Sequence, residues 1–183
     1  MYSFKEKYGE YLTSFEARLN KFYDEFTCRP QILDDSLKYS LKSGGKRVRP
    51  VLMLASAELT GAGDCRVEDF ALALELIHTY SLIHDDLPEM DNDDYRRGRP
   101  SNHKVFGAGN AVLAGDGLLN TAYYILFERC ADGKASAEAA KFLCGCAGVN
   151  GMIAGQSADL YCAEKGVRSG DMLDFIVTNK TGK

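Results

Sequence analysis

Apolar residues recur along the chain at three- and four-residue steps, the period of helices with one buried face. Ile32, Leu33, Leu37 and Leu41 form such a stripe, and Gly44-Gly45 is a suitable stop after it. Pro50 suits the first turn of a further helix through Leu59, which Gly61 and Gly63 would end. Phe70, Leu74, Ile77 and Ser81 share one face of the next helix, with Ala73, Leu76, Tyr80 and His84 on the face beside it. That helix runs into Asp85-Asp86 and is expected to bend or stop near Pro88. Residues 91–107 are too rich in charge, Gly and Pro for a core helix. Helical spacing returns over Gly109–Cys130 and Ala135–Leu160, then over Asp171–Asn179 with Ser169 as a candidate cap. No alternating strand pattern, internal repeat or flexible linker interrupts this order, so the expected fold class is all-α.

Composition narrows the function classes. A chain of 183 residues suits a single domain, and its 45% hydrophobic and 26% charged residues are ordinary for a globular protein. The net charge of −4 argues against a nucleic-acid partner, which would require a basic surface. The cysteines (28, 65, 130, 144, 146 and 162) form no CxxC pair, and Cys144/Cys146 lack the neighbours that complete a zinc site. The N-terminus has no apolar signal core, and no apolar run is long enough to span a membrane. The expectation is a soluble, cytoplasmic protein with reduced cysteines and no integral membrane segment.

Charge is concentrated in two short blocks. The first runs from His84 to Gly98 and carries Asp85, Asp86, Glu89, Asp91, Asp93, Asp94, Arg96 and Arg97 around Pro88. On an unbroken helix Asp85 and Asp91 would lie about 240° apart around the axis and could not share an ion. A break at Pro88 would let the second carboxylate swing back toward the first. Grouped carboxylates suit Mg²⁺, which keeps several waters and takes its other ligands from phosphates. Arg96 and Arg97 then offer direct contacts to phosphate oxygens. The second block is Gly44-Gly45-Lys46-Arg47-Val48-Arg49-Pro50, whose glycines admit a ligand closely and whose cations suit a polyanion. Together they suggest two diphosphates held differently, one bridged by metal and ionisable, the other gripped by Lys and Arg. Each block alone has a bland reading as solvated charge or as cations near a helix end. His78 and His84, on a mostly apolar helix, would ordinarily be core or boundary residues. No Ser/His or Cys/His arrangement offers a protein nucleophile.

The ordered combination resembles a known family. Gly44–Pro50, His78–Pro88, Met90–Gly98, His103–Gly107, Leu113–Leu119, Gly151–Leu160 and Lys180–Gly182 are similar to motifs of the bacterial trans-prenyl diphosphate synthases, the farnesyl/geranylgeranyl diphosphate synthase family. The likeness covers the chain from about residue 30 onward. It implies an isoprenoid-synthase-type helical bundle around a central cavity, and residues 1–183 as the N-terminal portion of one such domain. Members continue past the Lys-Thr-Gly signal to a second aspartate-rich motif, so the bundle is expected to be incomplete at its C-terminus.

The resemblance also implies roles. Asp85 and Asp91, with Asp86 in support, would bind Mg²⁺ on an allylic diphosphate, which Arg96 and Lys180 would contact. Lys46, Arg49, His78 and Arg97, with Arg47 in the same block, would hold isopentenyl diphosphate. Thr181 and Gln156 would lie against the developing cation. The implied reaction is a head-to-tail prenyltransfer by ionisation, condensation and elimination, in a homodimer. Tyr80 and Ser81, the fifth and fourth residues before the first aspartate, would set product length. A bulky Tyr80, with the two-residue insertion around Pro88-Glu89, resembles farnesyl-type enzymes and favours a C15 product over C20. The rival readings are a geranylgeranyl synthase, a non-catalytic synthase subunit or inactive fragment, and a terpene cyclase. The cyclase is disfavoured because it has no second diphosphate for the Gly44–Pro50 block and His78 to hold.

Overall fold

The computed structural model describes residues 3–62 and 65–182, the Cys65 side chain excepted, and divides into two compact units, Met1–Arg129 and Cys130–Lys183. The expected helix stop at Gly63 lies outside the described residues.

The first unit opens with a helix that the apolar stripes above do not include, α1 (Phe4–Glu25). Its signal is a capping box: the Ser3 hydroxyl accepts from the Glu6 amide, and the Glu6 carboxylate accepts from the Ser3 amide at 2.7 Å. Phe15, Leu19 and Phe22 then recur on its buried face. Next come α2 (Gln31–Leu41) and α3 (Val48–Leu59). Leu37 and Leu41 of the expected α2 stripe are buried, whereas Ile32 is 46% exposed.

Helix α4 (Cys65–Asp85) is the centre of this unit and packs on α1, α2 and α3. Ala71, Leu72, Ala73, Leu76, Ile77, Tyr80 and Ile83 are all buried, so it is apolar nearly all round rather than along one stripe. It ends at Asp85, as the approach to Pro88 requires. The charged segment that follows holds a small antiparallel pair, β1 (Tyr95–Arg96) and β2 (Arg99–Pro100), with Arg96 opposite Arg99. Arg97 and Gly98 make the turn with φ of 54° and 77°, the left-handed pair that a two-residue hairpin needs. Strands of two residues are too short to leave an alternating pattern. The short α5 (Asn102–Phe106) and the long α6 (Ala108–Cys130) follow.

In the second unit the single helix expected over Ala135–Leu160 is two: α7 (Lys134–Ala147) and α8 (Met152–Lys165). The break falls at Gly148 and Gly151, where a Cβ on Gly151 would run into the Cys146 carbonyl. The expected Asp171–Asn179 helix is α9 (Gly170–Ile176) continued by a π-helical turn, Val177–Thr181. Ser169 stands at the α9 cap position without a side-chain cap bond. Among the described residues no helix is long and apolar enough to cross a membrane.

Candidate active site

The acidic block folds back as the proline predicted. After α4 ends, the Met90 and Asn92 amides both donate to the Leu87 carbonyl, and the Asp91 amide donates to the Asp85 carbonyl at 2.9 Å. Asn92 takes a left-handed φ of 53° in closing this loop. Asp85 and Asp91 are thereby neighbours through space, Asp85 half-buried and Asp91 exposed. Their pairing depends on a backbone bond, so any residue at position 91 that keeps the loop would keep the approach.

Asp86, expected in support at the metal, is paired with Arg96 in this structure. It is 2% exposed, and both its oxygens accept from Arg96 Nε at 2.8 Å while Arg96 Nη2 sits 2.5 Å away. This forked pair raises the Arg96 pKa against the opposing effect of burial. It also fixes the direction of Arg96, whose side chain stays 30% exposed at the mouth of the loop. Asp85 and Asp91 bring two carboxylates to this one loop, linked through their backbones. That is a fitting protein contribution for Mg²⁺, which takes one or two carboxylates and completes its shell with water and substrate phosphate. Among the described residues no group of three or more His, Cys, Asp or Glu forms a ready-made metal cage.

The basic block lies against the same loop. The Arg97 guanidinium donates through Nη1 to the Gly44 carbonyl, and a Cβ on Gly45 would fall 2.6 Å from that nitrogen. Only glycine leaves room for the guanidinium there, and Gly45 has a φ of 135° besides. Lys46 and Arg49 are exposed. Arg47 is the exception. It is 5% exposed, and its guanidinium donates to Glu75 at 2.7 Å, Glu16 at 3.0 Å and the Leu41 carbonyl at 2.9 Å. Burial opposes the charge, but Glu16 and Glu75 outweigh it and carry the Arg47 pKa up. The guanidinium of Arg47 is thus engaged by protein oxygens on Glu16, Glu75 and Leu41.

His78 of α4 stands among these cations. Burial first, then the charges of Arg49, Arg97, Arg96 and Arg47, press its pKa down to about 4. The imidazole is therefore neutral at pH 7 and can donate a hydrogen bond without adding to the repulsion. Burial also lowers the Arg97 pKa; Glu75 opposes this, and the nearby Arg47 and Arg96 reinforce it. Mutual repulsion of this kind is relieved by an anion.

Two residues on, Tyr80 is buried, with its pKa pushed up to about 12 chiefly by that burial, and meets the His84 ring edge-on at 5.6 Å. Ser81 is half-buried and donates to the His78 carbonyl at 2.9 Å. The His84 ring lies on Gly115 of α6, where a Cβ would collide with it, and Nε2 is 3.0 Å from the Val112 carbonyl.

The remaining expected residues belong to the second unit. Lys180 donates to Asp159 of α8 at 2.6 Å, and its backbone lies so close to Gly155 that a Cβ there would strike it. Gln156 is half-buried on α8, and Thr181 is exposed at the end of the π-helical turn.

Several supporting residues carry no sequence motif. Ser101 donates its hydroxyl to the Asp93 carbonyl at 2.6 Å and its amide to the Asp94 carbonyl at 2.9 Å, closing the acidic loop from behind. The buried Asn102 ties that closure to α2, donating to the Ser36 carbonyl and the Ser40 hydroxyl at 2.9 Å each. Glu75 was readable only as a charge on an apolar helix, an anomaly that signals a buried partner.

The described residues are predominantly helical, with two aspartates bonded through their backbones on a proline loop and Arg97 of the same segment resting on the glycines of the basic block. The polyprenyl synthetase family matches residues 30–183, and the chain belongs to that family. Over 180 residues it is 42% identical to farnesyl diphosphate synthase of Geobacillus stearothermophilus, covering 96% of this chain and 59% of that protein. It is 44% identical over 179 residues to a chloroplastic geranylgeranyl pyrophosphate synthase of Capsicum annuum, covering 93% of this chain and 47% of the relative. The crystal structure of a geranyltransferase from Legionella pneumophila superposes with a TM-score of 0.91 at 38% identity, over 97% of this chain and 64% of that one. The chain thus spans about half to two-thirds of the length of these relatives.

Proposed function

We propose that this chain carries the diphosphate-binding half of a transferase that condenses isopentenyl diphosphate head to tail with an allylic diphosphate. The observation that carries the reading is the return of Asp91 to Asp85 while Arg97 of the same loop rests on Gly44–Gly45. Acidic and basic groups are thereby assembled side by side within one unit.

In this reading Asp85 and Asp91 would hold Mg²⁺, which when bound would supply charge neutralisation for the leaving diphosphate. Arg96, aimed by Asp86, contacts the same diphosphate. Lys46, Arg49, Arg97 and neutral His78 grip isopentenyl diphosphate, which stays intact while its double bond attacks the allylic carbon. Lys180 would add a contact to the allylic diphosphate, with Thr181 and Gln156 beside the developing positive charge. The proton lost on elimination goes to the released pyrophosphate, so no protein base is required. Residues 1–183 form part of a single catalytic domain in this proposal, and a cytoplasmic homodimer rests on the family resemblance alone.

The product we favour is C15 farnesyl diphosphate, because the buried Tyr80 ring stands one turn before the first aspartate and limits the depth available to a growing chain. Both farnesyl and geranylgeranyl synthases occur among the relatives, so C20 is the alternative. Incubation with dimethylallyl and isopentenyl diphosphates and Mg²⁺, followed by product analysis, tests the proposal. Linear elongated chains support it. Cyclic hydrocarbon, or binding without turnover in a protein extended to the length of its relatives, would defeat it.

A further inference from the structure

The Lys46 loop is held by a helix outside the family match. Residues 30–183 carry that match, whereas α1 spans Phe4–Glu25. Yet the Tyr8 hydroxyl of α1 donates to the Lys46 carbonyl, and Glu16 of α1 accepts from Arg47 Nε at 3.0 Å. Arg47 reaches onward to Glu75 of α4 and to the Leu41 carbonyl at the end of α2. One guanidinium therefore joins α1, α2 and α4 at the point where α3 begins. Its own backbone is left-handed, with φ of 48°, a conformation that a side chain of this size rarely takes unless its surroundings impose it.

That inward turn of Arg47 has a geometric consequence for its neighbours. Lys46 and Arg49 remain exposed on either side of it, and Gly44–Gly45 present the flat surface on which Arg97 lies. Helix α1 is in turn fastened to the rest of the unit: Arg18 donates to Asp69 of α4 at 2.8 Å, and Tyr11 donates to Glu58 of α3 at 2.9 Å. Resting on the diphosphate reading above, we propose that Arg47 is a clasp rather than a ligand, and that Glu16 and Tyr8 are positioning residues that set Lys46, Arg49 and Arg97 for the anion. The recognition element thus includes α1.

The sign of one effect separates this from simple electrostatics. Removing a carboxylate near a cationic pocket should tighten anion binding if charge alone mattered. The clasp gives the opposite result, because Lys46 and Arg49 lose their placement. The test uses inorganic pyrophosphate without divalent metal, so that the basic pocket is read by itself, on the whole chain carrying Glu16→Gln or Tyr8→Phe. Titration calorimetry is expected to show affinity weakened about tenfold in both, as for a misplaced binding group, with helical content retained. Hydrogen exchange at the Gly44, Gly45 and Lys46 amides should quicken in both variants, a readout that needs no ligand. Arg47→Lys, which keeps the charge but not the fork, should behave likewise. Unchanged or tighter binding in Glu16→Gln, with exchange unaltered, would overturn the clasp. Faster exchange in the variants, with no pyrophosphate bound by the parent chain, would instead overturn the diphosphate reading, and the positioning role with it.

Discussion

The Asp91 amide donates to the carbonyl of Asp85 across the Pro88 loop, 2.9 Å from nitrogen to oxygen. The two aspartates proposed to share a metal are thus linked through their main chain, while Asp86 beside them is buried and forked onto Arg96.

The three aspartates should therefore separate by substitution. Asp85→Asn and Asp91→Asn are expected to lower prenyl transfer and Mg²⁺-dependent pyrophosphate binding by on the order of a hundredfold, and the exposed Asp91 to be replaced with thermal stability nearly unchanged. Asp86→Asn should instead cost about 3 kcal/mol of stability, because it strands a partly buried guanidinium. Thermal melts beside metal-dependent calorimetry read both effects. Chelation of divalent metal should abolish transfer while leaving metal-free pyrophosphate binding at the basic pocket intact.

His78 should make the protein acid-sensitive. Its folded pKa of about 4 lies below the ordinary 6.5, so the unfolded chain takes up the proton first. Stability from this group is full above pH 6.5 and is lost as pH falls toward 4, at most about 3 kcal/mol in all. Urea midpoints measured across that range should fall more steeply for the parent than for His78→Gln. Bound pyrophosphate should raise the His78 pKa, so binding below pH 6.5 should take up a proton, measurable as a buffer-dependent heat.

Gly45→Ala is expected to displace Arg97, because the new Cβ would fall 2.6 Å from its guanidinium at a φ of 135° that alanine resists. Pyrophosphate affinity should drop about tenfold, with a stability loss of about 1–2 kcal/mol. An affinity equal to the parent's would show that Arg97 reaches the anion without this seat.

Tyr80→Ala should lengthen the product. Removing a buried ring beside His84 opens depth ahead of Asp85, and C20 or longer chains should appear in chromatography of the dephosphorylated products. The same change should cost about 3 kcal/mol of stability as a cavity. Unchanged C15 product would remove Tyr80 as the length determinant.

The candidate site was largely legible along the chain, because the recognition proposed for it needs particular residue types at short spacing. The stop at Asp85, the loop at Pro88 and the glycines before Lys46 followed from local backbone rules. The break between α7 and α8 was missed because glycines at 148 and 151 interrupt a pattern that otherwise keeps its period. Helix α1 announced itself only through its capping box and the Phe15, Leu19, Phe22 spacing.

What the amino-acid order determined by itself is the helical class, the family and the inventory of carboxylates and cations, since each depends on side-chain chemistry and short-range periodicity. What only tertiary structure decided is the division of labour within that inventory. Along the chain Arg47 and Asp86 are two more charges of their blocks, and only the fold shows Glu16, Glu75 and Arg96 bonded to them. A charge faces a ligand or a buried partner according to what packs against it, and contacts between residues far apart in the chain leave no mark in local spacing.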